Sequence, residues 1–311
     1  MRRISATKRL PVGAVLAGML LAACTQAPDM SGIAHERNRS VQRYDVSQAI
    51  ASNGDALVSH DQGKNWERIV LGQTSLVDIA VCRDKRFVAI DHYHKVWSAD
   101  AQGRNWQSVP LAQPHTPLAV TCSPRGEWWV AGTNAVIAAS SDAGKTWRTT
   151  DFGEDTQITA IQFVDDRHAF ALGEFGLLLT SADGGASWRK GPALPGEFYP
   201  YAALFRNDRE GWVSGIAGQV LHTVDGGASW KKQVNATQVS LNRLFMHDGV
   251  PHAVGNAGVV ARLVGDTWRA VPYPDPVPVF LGGGASLADQ KAIVIGGPGG
   301  LLRALASANQ E

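Results

Sequence analysis

The sequence predicts an all-β fold: a β-propeller of four-stranded antiparallel blades, seven in number with six as the alternative. Three observations predict it. An eight-residue unit recurs at a nearly constant period, short strand-like apolar runs fill the intervals, and 33 Gly with 15 Pro punctuate short strands rather than long helices.

The unit Ser59-His60-Asp61-Gln62-Gly63-Lys64-Asn65-Trp66 returns at 140–147, 181–188 and 223–230. Asp142, Asp183 and Asp225 stand third in those copies, and Trp147, Trp188 and Trp230 stand last. A copy with one inserted residue spans 98–106 around Asp100 and Trp106, and a worn copy ends at Trp268. The tryptophans from Trp66 onward are spaced 40, 41, 41, 42 and 38 residues apart. The pattern S/T-x-D-x-G-x-x-W is identified as the Asp-box, the bacterial neuraminidase repeat. Its Ser/Thr and Asp side chains can hydrogen-bond the backbone of their own turn. Its Gly supplies a positive φ, and its Trp covers the turn. The box aspartates are therefore expected to be structural, and no catalytic residue is assigned.

One interval shows the remaining strands, at 158–164, 168–172, 177–181 and 188–190. Four strands in roughly 40 residues make a propeller blade. A Gly-x-x-Gly marker precedes the third strand at Gly173/Gly176, Gly215/Gly218, Gly255/Gly258 and Gly297/Gly300. It is half-matched at Gly54 and Gly132, and Ile90 and Tyr93 replace it in the second unit. These sites number seven, whereas the 272 residues from 40 onward hold between six and seven periods. The last blade is expected to be completed by both termini, from strands at 277–281, 292–295 and 301–305 and a fourth from 41–46. Such closure removes open sheet edges.

The N-terminus reads differently. Arg2, Arg3, Lys8 and Arg9 precede an apolar stretch over 10–22, which is the pattern of a signal peptide over residues 1–23. Leu21-Ala22-Ala23-Cys24 resembles the bacterial lipoprotein cleavage box. That resemblance implies a lipid on Cys24, contact with the membrane through the lipid anchor alone, and a periplasmic setting. Thr25 in place of an Asp implies the outer membrane. Residues 24–39 read as a flexible tether and 40–311 as the propeller. Beyond the leader, 25 basic side chains face 28 acidic ones without a basic block, which argues against nucleic acid as a partner.

Single-ring Asp-box propellers with short loops are similar to the photosystem II assembly and stability factor-like family. The resemblance runs from about residue 40 to the end. It implies a non-enzymatic scaffold without cofactor that binds a protein partner, here in the cell envelope. The alternative is a glycan-binding or sialidase-like glycosidase propeller. Glycoside hydrolysis needs a carboxylate pair or a Tyr nucleophile, and sialidases carry a Phe-Arg-Ile-Pro motif. The nearest string, Phe205-Arg206-Asn207-Asp208, lies in mid-chain, lacks Ile-Pro and falls on the side of the boxes.

Loops between second and third strands, and between blades, share the face opposite the boxes. There His92, Tyr93 and His94, with His115 in the adjoining loop, are expected to contribute a binding surface. A His-x-His on a strand would place both rings on one side, as a metal site requires. A third ligand is not evident, so no metal is assigned. The loop 191–201 holds Phe198, Tyr199 and Tyr201 among three prolines and is either a second part of that surface or a plug for the channel. Cys82 and Cys122 each follow a box Trp by sixteen residues and are expected at equivalent positions on neighbouring blades. They form either a disulfide, if their Cα atoms come within ~7 Å, or two buried thiols.

Overall fold

The computed structural model describes residues 41–42, 48–52, 55–72, 74–196, 199–287, 291–297 and 301–306. The leader, the tether and Cys24 lie outside the described residues. Six sheets, over 41–70, 76–110, 117–151, 158–190, 200–232 and 241–270, carry four antiparallel strands each. The sixth adds a short parallel strand, Val234–Asn235, at its outer edge. A seventh sheet, over 283–306, has three strands among the described residues. Among the described residues the ring thus holds six four-stranded blades, the number of the alternative reading, and one three-stranded sheet.

The first strand of each blade is innermost. Leu76–Val81, Pro117–Cys122, Ile158–Phe163, Pro200–Phe205, Leu241–His247 and Gly283–Ser286 lie side by side in that order, and Val41–Gln42 closes the circuit between the last and the first of them. The termini do not share a blade as expected. Val41–Gln42 pairs with Gln48–Ser52 and so completes the first sheet. The expected strand at 277–281 is a connection, and the inner strand is Gly283–Ser286. Pro272, Pro274, Pro276 and Pro278 explain the shift, because each removes an N–H that a ladder would use.

Second strands form the core of each blade. Phe87–Asp91, Trp128–Gly132, Ala169–Gly173 and Gly211–Gly215 are buried at every position. Neighbouring blades press face to face across them: Trp129 meets Phe163 and Trp188 at 5.1 and 6.0 Å, and Phe170 stacks on Phe205 at 3.7 Å. Phe205 of the sialidase-like string is therefore a core side chain. Arg206 beside it is paired with Glu210 at 2.7 Å and lies over Trp212.

The boxes form hairpins that close on themselves. Ser181 Oγ accepts the Gly185 N–H at 2.8 Å and donates to Asp183 Oδ1 at 2.9 Å. Asp183 then accepts the Ser187 N–H at 2.9 Å and the Ser187 hydroxyl at 2.6 Å. The same circuit surrounds Asp61, Asp142 and Asp225. In the copy with the insertion, Asp100 accepts the N–H groups of Gln102 and Arg104 at 3.0 and 2.8 Å. Gly185, at φ +85°, also faces the Trp129 ring of the preceding blade, and a Cβ there would collide with that ring. The box glycine therefore meets two demands, one from its turn and one from the neighbouring blade.

Cys82 and Cys122 are joined in a disulfide, with Cα atoms 5.0 Å apart. They are not equivalent positions. The link from Trp66 to Leu76 is one residue shorter than that from Trp106 to Pro117. Val81 pairs with Phe87 as Cys122 pairs with Trp128, so Cys82 corresponds to Ser123. Side chains alternate between the faces of a strand, so equivalent residues would point the same way around the ring. The one-residue offset turns the two sulfurs toward each other.

Candidate functional site

Four of the box carboxylates, Asp61, Asp142, Asp183 and Asp225, are each used within their own hairpin, on the first, third, fourth and fifth blades. Hydrogen bonds from the i+4 residue, led by the Asn65 N–H at Asp61 and by the Thr146, Ser187 and Ser229 hydroxyls at the others, hold Asp61, Asp142, Asp183 and Asp225 at about 2 instead of 3.8. A lowered acid pKa gives stability that is complete above the unfolded value and lost as the pH falls through the folded value. His252 adds a second window: burial foremost holds it at about 4 instead of 6.5, so its contribution is complete above 6.5 and lost as the pH falls through 4. Thermal unfolding followed by circular dichroism should give a Tm that falls first between pH 6.5 and 4 and again between 4 and 2. The first fall should vanish in His252→Phe.

The opposite face is built from the second-to-third-strand turns and the blade connections. Turns at Thr133–Ala135, Glu174–Gly176, Ile216–Gly218 and Asn256–Gly258 share one conformation. Its middle residue is left-handed, at φ 58° for Asn134, 55° for Phe175, 56° for Ala217 and 54° for Ala257. Asn tolerates that region, whereas a bulky aromatic residue there costs free energy. Phe175 nevertheless occupies it and is 63% exposed.

The second blade departs from this pattern, and the structure corrects how it does so. Asp91, not Ile90, stands where the other blades have the marker glycine, because Leu76 pairs with Asp91 as Ile158 pairs with Gly173. The Asp91 carboxylate is fully buried. It accepts the Tyr93 and Lys95 N–H groups at 2.8 and 2.9 Å, and the Thr74 hydroxyl and Trp97 Nε1–H at 2.7 Å each. His92, Tyr93 and His94 thus sit on a turn between Phe87–Asp91 and Lys95–Ala99, not on a strand, so the two His rings do not share a strand face as expected. His92, Tyr93, His94 and His115 are all exposed. The His115 ring meets Gln113 Nε2 at 3.1 Å. Among the described residues no three His, Cys, Asp or Glu side chains gather as metal ligands.

The loop 191–201 is anchored rather than free. Leu194 is buried, and its N–H donates to the Gly176 carbonyl at 2.9 Å. Tyr199 is half-buried with its hydroxyl 3.4 Å from Gln157 Oε1, and burial foremost raises its phenol pKa. Tyr201, 5.8 Å away ring to ring, lines the central channel. Phe198 lies outside the described residues. Tyr93, Phe175, Tyr201 and Phe280 are 59, 63, 37 and 48% exposed. Every strongly exposed aromatic side chain among the described residues therefore stands on this one face. The box face exposes valines instead, Val224 and Val264.

The inner strands enclose a channel cavity of 410 Å³ lined by Asp78, Thr121, Gln162, Tyr201, Arg243 and Ser286 among others. Residues 98–204 and 146–240 match the family described as photosynthesis system II assembly factor YCF48. The chain is a β-propeller that resembles the photosystem II assembly factors. A curated relative, the photosystem II assembly lipoprotein Ycf48 of Synechococcus sp. (strain CC9902), is 30% identical over 111 residues, which cover 33% of each chain. The propeller thus aligns with about a third of that relative's length. A solved YCF48 bound to D1 peptide superposes with a TM-score of 0.68 at 15% identity, over 89% of this chain and 94% of that one. A catalytically inactive virginiamycin B lyase from Staphylococcus aureus superposes at 0.76 with 12% identity, over 88% of this chain and 96% of the other. Both structural likenesses show the ring fold.

Proposed function

We propose that this propeller is a non-enzymatic assembly or stability factor that binds a polypeptide of an envelope complex on the face opposite its boxes. It acts from the periplasmic side of the outer membrane, where a lipid on Cys24 holds it. The observation that carries the reading is the collection of exposed aromatic side chains, Tyr93, Phe175, Tyr201 and Phe280, on one face. Aromatic residues dominate the energetics of protein interfaces. An outward Phe175 at a left-handed position is costly unless it is used. The similarity to a YCF48 bound to D1 peptide supports a polypeptide ligand. The box aspartates offer no catalytic group, since their oxygens serve their own turns.

Tyr93→Ser combined with Phe175→Ser should leave Tm within about 2 °C of the parent, because both rings are exposed. Capture of the partner by in-membrane crosslinking and pull-down should fall at least tenfold. Unchanged capture would place the partner elsewhere. Steady turnover of a fluorogenic sialoside or a polysaccharide panel, lost on changing a channel carboxylate, would overturn the non-enzymatic reading.

A further inference from the structure

One tier of the channel breaks the repeat. Asp78, Ala119, Ala160, Ala202, Arg243 and Gly283 occupy the same register in successive inner strands, opposite Ile90, Ala131, Leu172, Ser214, Val254 and Gly296. Four are Ala or Gly, and the remaining two carry opposite charges. The small residues leave room for Arg243, on the sixth blade, to extend toward Asp78 on the second. Its Nη1 stops 3.5 Å from Asp78 Oδ1. Charge-assisted hydrogen bonds close to roughly 2.7–2.9 Å, so this pair attracts without bonding. Asp78 Oδ2 accepts the Val120 N–H at 3.1 Å, while Oδ1 is buried without a hydrogen-bond partner. The guanidinium has five N–H donors in a planar fork, and among the described residues Asp78 is its charged contact. Arg243 retains 28% exposure of its side chain and shares the 410 Å³ cavity with Tyr201, which stands nearer the loop face.

We propose that Arg243 is a carboxylate receptor inside the channel and that Asp78 is its built-in, weakly held competitor. A carboxylate entering from the loop face would form the paired N–H···O bonds that Asp78, tethered to Val120, does not reach. The ligand class is a carboxylate carried by a polypeptide segment, which deepens the proposed function and rests on its placement of the partner.

Acetate tests the receptor apart from the partner. In the mature chain, sodium acetate should shift the Arg243 Nε–H resonance saturably, with chloride at equal ionic strength causing no such shift. Asp78→Asn should tighten the response severalfold, and Arg243→Gln should remove the channel's response. Three labelled peptides of one apolar sequence then separate the sources: a free C-terminus, an amidated peptide with one Glu, and the same peptide with Gln. One or both of the carboxylate peptides should bind at least tenfold more tightly than the Gln peptide. Arg243→Gln should erase that preference, as should Asp78→Asn/Arg243→Gln, which leaves no unpaired charge behind. The absence of an acetate-specific shift, or an equal preference in the double variant, would overturn the receptor. If acetate binds but none of the peptides does, the placement of the partner fails and the anion site stands.

Discussion

Gly185→Ala is expected to destabilise the propeller by about 3–5 kcal/mol, far more than a single methyl group on a surface hairpin should. Two costs combine. Alanine at φ +85° is strained, and its Cβ would push into the Trp129 ring of the preceding blade. Overpacking of that kind costs roughly 1–3 kcal/mol by itself. Because Trp129 also packs on Phe163 and Trp188, displacement of its ring loosens both blades. Chemical denaturation monitored by tryptophan fluorescence should show the loss as a lower midpoint. Gly153→Ala is the control: it has positive φ but open space around its Cβ, and it should cost no more than about 1–2 kcal/mol. Equal losses at the two sites would mean that the box glycine serves its turn alone.

Asp91→Ala should cost about 4 kcal/mol, and Asp91→Asn roughly half as much. Removal of the carboxylate strands two backbone N–H groups, the Thr74 hydroxyl and the Trp97 indole N–H in a buried site. Each stranded donor costs roughly 1–3 kcal/mol when it stays dry. Asparagine can still accept from the turn but presents an NH₂ to one of the remaining donors. The same variants should disorder the His92–His94 turn before the blade unfolds. Hydrogen exchange at the Tyr93 and Lys95 amides reports that directly. Exchange at parental rates in Asp91→Ala would show that the turn does not depend on the carboxylate.

These two sites mark how far the sequence could be read. The boxes were legible because every bond they make lies within four residues, as from Ser181 to Gly185 or Asp183 to Ser187. The blade pattern followed from them. What depended on register between distant strands was lost. The link from Trp66 to Leu76 is one residue short, which makes Cys82 and Cys122 look equivalent, and counting back from Ser98 lands on Ile90 instead of Asp91 because Ala99, not Ser98, holds the register of Ser181. Asp91 could have been suspected as the one charged residue ending the apolar run Phe87-Val88-Ala89-Ile90. The Asp78–Arg243 pair is visible only when Leu76-Val77-Asp78, Ile158-Thr159-Ala160 and Leu241-Asn242-Arg243 are laid in register, which the inner strands do and the Trp spacing does not. A period counts units without saying which sheet an end strand joins, so the repeat alone puts the strand at 41–42 in the last blade, whereas it pairs into the first.

The Ser-Asp-Gly-Trp hairpins hold the ring, and the proposed function puts the partner on the other face. Site-specific photo-crosslinking in the native envelope tests it most directly, with the reactive group placed at Tyr93 or Phe175 on one face and at Lys64 or Lys145 on the other, all four being exposed. A discrete adduct with one envelope protein is expected from Tyr93 and Phe175 and none from the two lysine positions. Adducts from Lys64 or Lys145, with the aromatic positions silent, would contradict it.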